Sequence, residues 1–156
     1  MSEDLLLQNI IKTFGEDDKE GITISWGNWG QTQQMRNCIP TPGIGLRKRL
    51  ARKGRSLGIR IGREHEAYTS CTCHACHGKN EYCETRTFIK NGIEQTRHIH
   101  GLLRCQNEGC SKRWNRDNNA ALNIREISLA TLRGDARPSH FTSGHTFTGQ
   151  LNPDHD

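Results

Sequence analysis

The apolar residues of this sequence recur with a period of two in several short segments. Residues 21–26, GITISW, and residues 57–63, LGIRIGR, both show the alternation that is typical of a half-buried strand. A third pattern covers residues 87–105, TFIKNGIEQTRHIHGLLRC, in which Asn91 and Gly92 form the two-residue turn that best matches hairpin twist. The sequence therefore predicts two separate strands and one β-hairpin.

A period of 3.6 residues predicts three helices. They cover residues 3–14, residues 46–55 and residues 118–133. Ser2 and Asp117 are suited to the starts of the first and third helices, and Gly15 and Gly134 to their ends. From Asp135 the chain is rich in Ser, Thr, His, Gly and Pro, and we expect this tail to be disordered.

Composition limits the protein to one modest domain, because 32% of its 156 residues are hydrophobic. The net charge of +5 is concentrated in residues 47–55, RKRLARKGR, which hold six lysines or arginines. The first residues are acidic and amphipathic, unlike a secretory signal, and no apolar run approaches a membrane span. We expect an intracellular protein, nuclear if its host is eukaryotic, that does not associate with membranes.

Four cysteines have the spacing of a zinc ribbon. Cys73 and Cys76 form a C-x2-C pair, and Cys105 and Cys110 form a C-x4-C pair beyond the predicted hairpin. Thiolates are preferred ligands of structural Zn²⁺, and two cysteine pairs on neighbouring turns supply its tetrahedron. A closed four-cysteine site has no open position for a substrate, so we predict a structural zinc that stabilises a segment with little apolar area.

The first cysteine pair has competing neighbours. Cys71 lies two residues before Cys73 and competes with it for the same ligand position. We choose Cys73 because it completes the C-x2-C pair. The ligands that remain as alternatives are Cys71, His74, His77 and Cys83. The alternative to a metal site is a set of ordinary buried thiols.

An aspartate follows the second cysteine pair at the start of the third helix. A carboxylate there is stabilised by the helix dipole and by free N–H groups, so Asp117 is expected near the cap. Its neighbours in sequence favour a functional role in addition. They are Trp114, Arg116, Asn118, Asn119 and Asn123.

A series of motifs runs in one order along residues 21–127. ISWGNW at residues 24–29, QMRN at 34–37, PTPGIGLR at 40–47 and EAYTS at 66–70 stand first. TSCTCHACH at 69–77, GLLRC at 101–105 and WNRDNNAALNI at 114–124 follow them. The series resembles the C-terminal RuvC and zinc-ribbon region of the Fanzor proteins, which are eukaryotic relatives of the TnpB transposon nucleases and of the compact RNA-guided Cas effectors.

The resemblance implies a RuvC nuclease core, in which an RNase H-like sheet holds three carboxylates around two Mg²⁺ ions. Asp117 matches the last of these acids and Glu66 the middle one, with Glu64 as a nearby competitor. Residues 1–20 offer no aspartate-bearing strand that matches the first acid, and no segment matches a lobe for guide RNA. We therefore expect a truncated or remnant RNA-guided DNA endonuclease that binds zinc and nucleic acid and does not cleave alone.

The resemblance also implies DNA and guide RNA as partners, and a separate polypeptide is a candidate source of the missing strands. The basic helix can neutralise phosphates without reading bases, although a merely solvated helix face is the alternative. The predicted contacts are Arg47, Lys48, Arg49, Arg52, Lys53 and Arg116. The alternative function is a non-enzymatic zinc-ribbon adaptor that contacts nucleic acid or another protein through the basic helix and the hairpin.

The predicted fold class is α+β: a partial RNase H-like sheet with helices and an inserted β-hairpin zinc ribbon, and with poorly ordered ends. The predicted domains are an N-terminal helix at 1–20, a partial RuvC core at 21–70 and 111–134, a zinc ribbon at 71–110 and a disordered tail at 135–156.

Overall fold

The computed structural model describes residues 3–15, 21–27 and 44–144. Its elements in chain order are α1 (Glu3–Phe14), β1 (Thr23–Gly27), α2 (Ile44–Arg55), β2 (Arg60–Glu64), β3 (Asn80–Tyr82), β4 (Thr85–Lys90), β5 (Ile93–His98), β6 (Leu102–Cys105), β7 (Arg113–Asn115), α3 (Arg116–Arg133) and a short 3₁₀ helix (Ser139–Phe141). The chain divides into two compact units, Met1–His65 and Glu66–Asp156. Among the described residues, no helix is both long enough and apolar enough to cross a membrane.

The first unit contains a strand–helix–strand motif. β1 and β2 pair in parallel, with α2 between them in sequence as the crossover that a parallel pair needs. Leu7, Leu50 and Ile59 form the core of this unit, and none of them is more than 3% exposed. The sequence patterns predicted both strands and the helix between them. Two paired strands do not by themselves define an RNase H-like sheet, which stays a prediction.

The acidic start of α1 is paired with the basic helix α2. The Arg49 guanidinium is bonded to the Glu3 carboxylate, and Lys53 Nζ lies 3.0 Å from Asp4 Oδ1 and 3.4 Å from Glu3 Oε2. The hydrogen bond from Arg49 is the main reason why the pKa of Glu3 lies below its usual value. Two of the predicted nucleic-acid contacts are therefore engaged by carboxylates of the same unit.

The second unit contains a three-stranded sheet, in the order β3–β6–β7, and a separate two-stranded hairpin, β4–β5. All of these neighbours pair antiparallel. The hairpin turns at Asn91 and Gly92, whose φ angles of 54° and 75° are both positive, as a type I′ turn requires. The hairpin prediction is confirmed.

α3 begins two residues before the predicted start, and its cap is Asn115 rather than Asp117. The Asn115 Oδ1 atom accepts hydrogen bonds from the backbone N–H groups of Asp117 at 3.0 Å and Asn118 at 3.1 Å. β7 ends at Asn115, which places this side chain, and not the following acid, at the junction of strand and helix. Gly134 ends α3 as predicted, in the left-handed conformation with φ 79°.

Residues 135–144, the first part of the predicted disordered tail, are ordered. Phe141 is only 1% exposed, and the Arg137 guanidinium donates to the backbone carbonyls of Ala67 and Phe141, each at 3.0 Å. One buried ring and one arginine hold a segment whose composition alone suggested disorder. The predictions for Ser2, for the motifs within residues 28–43 and for residues 145–156 lie outside the described residues.

Candidate metal centre

The two turns that carry the cysteine pairs bring the four predicted zinc ligands together. Cys73 Sγ lies 3.9 Å from Cys110 Sγ, and Cys76 Sγ lies 3.4 Å from Cys105 Sγ. All four sulfurs lie within 4.8 Å of one another. Sulfurs at about 2.3 Å from one Zn²⁺ are about 3.8 Å apart in a tetrahedron. The cluster is therefore consistent with a structural zinc ion held by four cysteines.

The backbone of the first turn is shaped around this cluster. The Cys73 N–H donates to the Gly78 carbonyl at 2.7 Å, and the His77 N–H donates to the Cys73 carbonyl at 2.8 Å. A Cβ atom on Gly78 would lie 3.2 Å from Cys76 Sγ and 3.3 Å from Cys105 Sγ. A larger residue at this position would therefore crowd two of the ligands.

Trp114 of β7 contacts a ligand directly. Its indole Nε1–H donates to Cys73 Sγ at 3.2 Å, and the Lys112 ammonium lies 5.0 Å from the centre of its ring. A hydrogen bond to a metal-bound thiolate stabilises the negative charge and orients the sulfur. Trp114 is thus part of the support of the metal centre, a role that sequence analysis did not assign to it.

The protonation of the thiols depends on how closely they are packed. Burial raises the pKa of Cys105 and of Cys110, and the charges of neighbouring thiolates raise both further. Burial acts in the same direction on Cys76, but hydrogen bonds from the Gly78 backbone and the Asn107 side chain outweigh it and lower its pKa. Closely packed thiols therefore resist losing their protons together. A bound divalent cation stabilises such thiols as thiolates.

Two asparagines of α3 tie the helix to the first cysteine turn. Asn119 and Asn123 are both 0% exposed, and the Nδ2 group of each donates to the Thr72 carbonyl at 2.8 Å. Each also donates to the Thr69 carbonyl, at 3.1 and 2.8 Å respectively. The Asn119 Oδ1 atom accepts from the His74 N–H at 3.0 Å. Sequence analysis interpreted these asparagines as companions of a functional acid, whereas here they are structural.

A cluster of histidines around Glu126 lies beside the same turn. His140 Nε2 is 2.8 Å from Glu126 Oε1, His77 Nε2 is 3.6 Å from the same oxygen, and His74 Nδ1 is 3.6 Å from Glu126 Oε2. Burial alone would raise the pKa of Glu126, but the hydrogen bond with His140 and the nearby imidazoles of His74 and His77 outweigh it and hold the pKa far below its usual range.

The ligand atoms of His77, Glu126 and His140 lie within 4.8 Å of one another, as in the cysteine cluster. The imidazoles of His77 and His140 are stacked, with centroids 3.6 Å apart and planes 10° from parallel. Stacked rings do not direct their nitrogen lone pairs at a common point, so we interpret this group as a packed cluster around the hydrogen bond between His140 and Glu126 and not as a second metal site. No short-range motif connects its members, and sequence analysis missed it.

The two predicted catalytic acids occupy different settings. Asp117 is exposed in the first turn of α3, and Glu66 is half-buried where the second unit begins. The Glu66 carbonyl accepts hydrogen bonds from the N–H and hydroxyl groups of Thr69, at 3.2 and 2.9 Å. Over the part of the chain that the structure describes, neither group of three or more closely spaced metal-binding side chains includes Glu66 or Asp117. Their joint role with Mg²⁺ stays a prediction.

The residues predicted to contact nucleic acid differ in their exposure and in their ion pairs. Lys48, Arg52 and Arg55 follow one another at helical spacing along an exposed side of α2. Arg47 is half-buried, and Arg49 and Lys53 are the cations that pair with α1. Arg116, the first residue of α3, is half-buried in the second unit.

Comparison with known protein families identifies the class of this metal centre. The profile of the family described as Cas12f1-like, TNB domain, matches residues 45–124, a little over half of the chain and a range that contains all four clustered cysteines. The chain therefore belongs to the Cas12f1-like TNB domain family. Its cysteine cluster is the zinc-binding centre of a TNB domain of the Cas12f and TnpB kind. No curated protein matches the chain.

Proposed function

We propose that this chain is a zinc-stabilised, nucleic-acid-binding module of a TnpB-like RNA-guided nuclease. The observation that carries the proposal is the tetrahedrally compatible cysteine cluster in a segment of the TNB domain family. Four cysteine sulfurs fill the coordination positions of the zinc, so it has no open position for a substrate. Its role is then to stabilise the fold. The functional surface is then provided by the side chains that the zinc holds in place and by the basic helix.

The exposed side of α2 supports contact with phosphates. Lys48, Arg52 and Arg55 form no ion pair with any described residue, in contrast to Arg49 and Lys53 on the neighbouring side. Cations at this spacing neutralise successive phosphates and release condensed counterions, which gives salt-sensitive and sequence-independent binding. DNA and a guide RNA are the partners we propose on this basis and on family membership.

The finer proposal assigns the protein to the Fanzor branch and gives Asp117 and Glu66 a role in Mg²⁺-dependent cleavage. It rests on the order of motifs along residues 21–127. Glu3 and Asp4, the acids of α1, neutralise Arg49 and Lys53 and are not available as a further metal ligand. We expect this chain alone to bind nucleic acid without cutting it, because two acids hold Mg²⁺ weakly.

A second candidate function is a non-enzymatic zinc-ribbon adaptor. The observation that favours it is the engagement of Asn119 and Asn123 in backbone hydrogen bonds, which explains most of the motif around Asp117 without catalysis. For an adaptor, Asp117→Ala and Glu66→Ala leave every activity unchanged.

Nucleic-acid binding is tested with the zinc-loaded full chain and short labelled DNA and RNA oligonucleotides, by fluorescence anisotropy at several salt concentrations. We expect Lys48→Gln/Arg52→Gln to reduce the slope of log K against log salt by about 2. The matched control is Arg104→Gln/Arg125→Gln, which removes the same charge from two exposed positions of the second unit and is expected to leave the slope unchanged. Absence of binding by the unmodified chain would contradict the proposal.

Cleavage is tested separately, with single-stranded DNA and either Mg²⁺ or Mn²⁺. We expect none from the chain alone. Cleavage that Asp117→Ala abolishes would overturn the expectation of an inactive chain and exclude the adaptor.

A further inference from the structure

The hairpin β4–β5 presents a basic face that no part of the metal centre accounts for. Arg86 stands opposite Arg97, Phe88 opposite Gln95, and Lys90 opposite Ile93. Side chains alternate between the two faces of a strand pair, so these six residues share one face. That face holds three cations and no acid, because Glu94 lies on the other side, opposite Ile89.

The cations of this face lower the stability of the hairpin. Arg86 and Arg97 are direct cross-strand partners, and like charges in that relation destabilise a strand pair. The Arg97 guanidinium lies 5.0 Å from the centre of the Phe88 ring, which holds it against the face. Arg86, Lys90 and Arg97 form no ion pair with a described residue. An anionic partner would relieve the repulsion.

The hairpin is also poorly covered by the rest of its unit. It forms a sheet of its own, and a two-stranded hairpin in water is only marginally stable. Ile89 and Ile93, next to the turn, are 77% and 64% exposed. Of these two, Ile93 lies on the face that carries the cations, and Arg86, Lys90 and Arg97 are exposed on that face as well.

We propose that this face of β4–β5 is a second nucleic-acid contact, which enters the major groove of a B-form DNA duplex. The major groove admits a two-stranded β-ribbon, and flanking cations then contact phosphates. The inference rests on the proposed function, since it assumes that the module binds nucleic acid. The two proposals concern different surfaces. The proposed contact through α2 involves phosphates of any nucleic acid, whereas the contact through β4–β5 requires the wide major groove of a B-form duplex.

The test uses the zinc-loaded full chain and a short labelled DNA duplex, between about 50 and 200 mM salt. Arg86→Gln/Arg97→Gln is expected to lower the slope of log K against log salt by about 2, and Lys90→Gln by about 1. The control Arg125→Gln removes one exposed cation of α3, the same charge change as Lys90→Gln, and is expected to leave the slope unchanged. Zinc content and circular dichroism verify that each variant is folded.

The outcomes separate the two proposals. If the unmodified chain does not bind DNA, the proposed function fails. If it binds, and the hairpin and control variants behave alike, the hairpin inference is overturned while the proposed function stands. On an RNA duplex, whose major groove is too narrow for a ribbon, the hairpin variants are expected to have little effect. An equal loss on RNA would overturn the assignment to the groove.

Discussion

The side chain of Asn119 in α3 accepts a hydrogen bond from the backbone N–H of His74, at 3.0 Å. His74 directly follows Cys73, so the contact fixes the helix against the turn that carries a zinc ligand. Asn119 is completely buried, and its Nδ2 group donates to the Thr72 carbonyl on the same turn. The helix is therefore connected to the cysteine turn through hydrogen bonds of one buried side chain.

Replacement of Asn119 by alanine is expected to destabilise the second unit by about 2 to 3 kcal/mol. The change removes the acceptor of the part-buried His74 N–H and the buried amide that donates to Thr72, and donors and acceptors shielded from water cost free energy when they lose their partners. Urea unfolding of the zinc-loaded protein measures the loss. Asn118→Ala is the matched control, because Asn118 is exposed one residue earlier and its change is expected to cost under about 0.5 kcal/mol. Equal losses for the two variants would contradict the role of Asn119.

Removal of one zinc ligand is expected to unfold the metal centre. Cys105→Ser replaces a buried thiolate with a hydroxyl that is a poor ligand, and the folding of a small zinc module depends on binding energy of about 10 to 16 kcal/mol. Metal analysis should give one zinc per unmodified chain and none for the variant. The control is Cys83→Ser, which lies outside the four-sulfur cluster and should retain zinc. Loss of zinc from both would mean that the ligand set is wrong.

Trp114→Phe is expected to weaken zinc binding about tenfold while the fold is retained. Phenylalanine keeps most of the packing but lacks the N–H that donates to Cys73 Sγ, and such supporting contacts tune metal affinity by this factor or more. Competition with a chromophoric chelator measures the affinity. Tyr82→Phe removes a polar group from an aromatic residue that lies outside the zinc-ligand cluster and should leave the affinity unchanged.

The parts of this protein that sequence analysis predicted correctly are those with a local signal. Asn91 and Gly92 specify a turn by their own backbone preferences, and the period of two marks β1 and β2 directly. The cysteine pairs are likewise recognised from their spacing.

The features that were missed depend on residues far apart in the chain. His74 and His140 meet at Glu126 only after α3 and the 3₁₀ helix have packed on the cysteine turn. The cap of α3 was missed because Asn115 and Asp117 are both good capping residues. The end of β7, which is set by its pairing with β6, decides between them.

Stability is expected to depend on pH through Glu126. Its pKa in the folded protein is depressed, so its contribution is fully present above the unfolded value of about 4.3 and is lost as pH falls below it, toward the folded value. Glu126→Gln should therefore cost about 1.5 to 3 kcal/mol between pH 6 and 8, and the difference from the unmodified protein should shrink only as pH falls below about 4.3. Urea unfolding of both proteins with excess zinc isolates this difference, since both share the same thiols. A difference that stays constant as pH falls well below about 4.3 would contradict the assignment.

The ion pairs between α1 and α2 lead to the prediction that their removal strengthens DNA binding. Glu3 and Asp4 engage Arg49 and Lys53, and those cations cannot neutralise phosphates while they are paired. Glu3→Gln/Asp4→Asn is therefore expected to strengthen DNA binding and to steepen the slope of log K against log salt by about 1 to 2. Exposed ion pairs contribute little to stability, so the unfolding transition should barely move.

The control for this last change is Glu108→Gln/Glu94→Gln, which removes the same negative charge from exposed positions of the second unit that the ion pairs do not include. If the α1 variant and the control steepen the slope equally for each charge removed, net charge alone explains the effect, and the pairing of α1 with α2 has no influence on binding. A larger effect of the α1 variant means that the amino-terminal acids compete directly with phosphates for Arg49 and Lys53. In that case the affinity measured for the intact chain is lower than the affinity of α2 for DNA when Arg49 and Lys53 are unpaired.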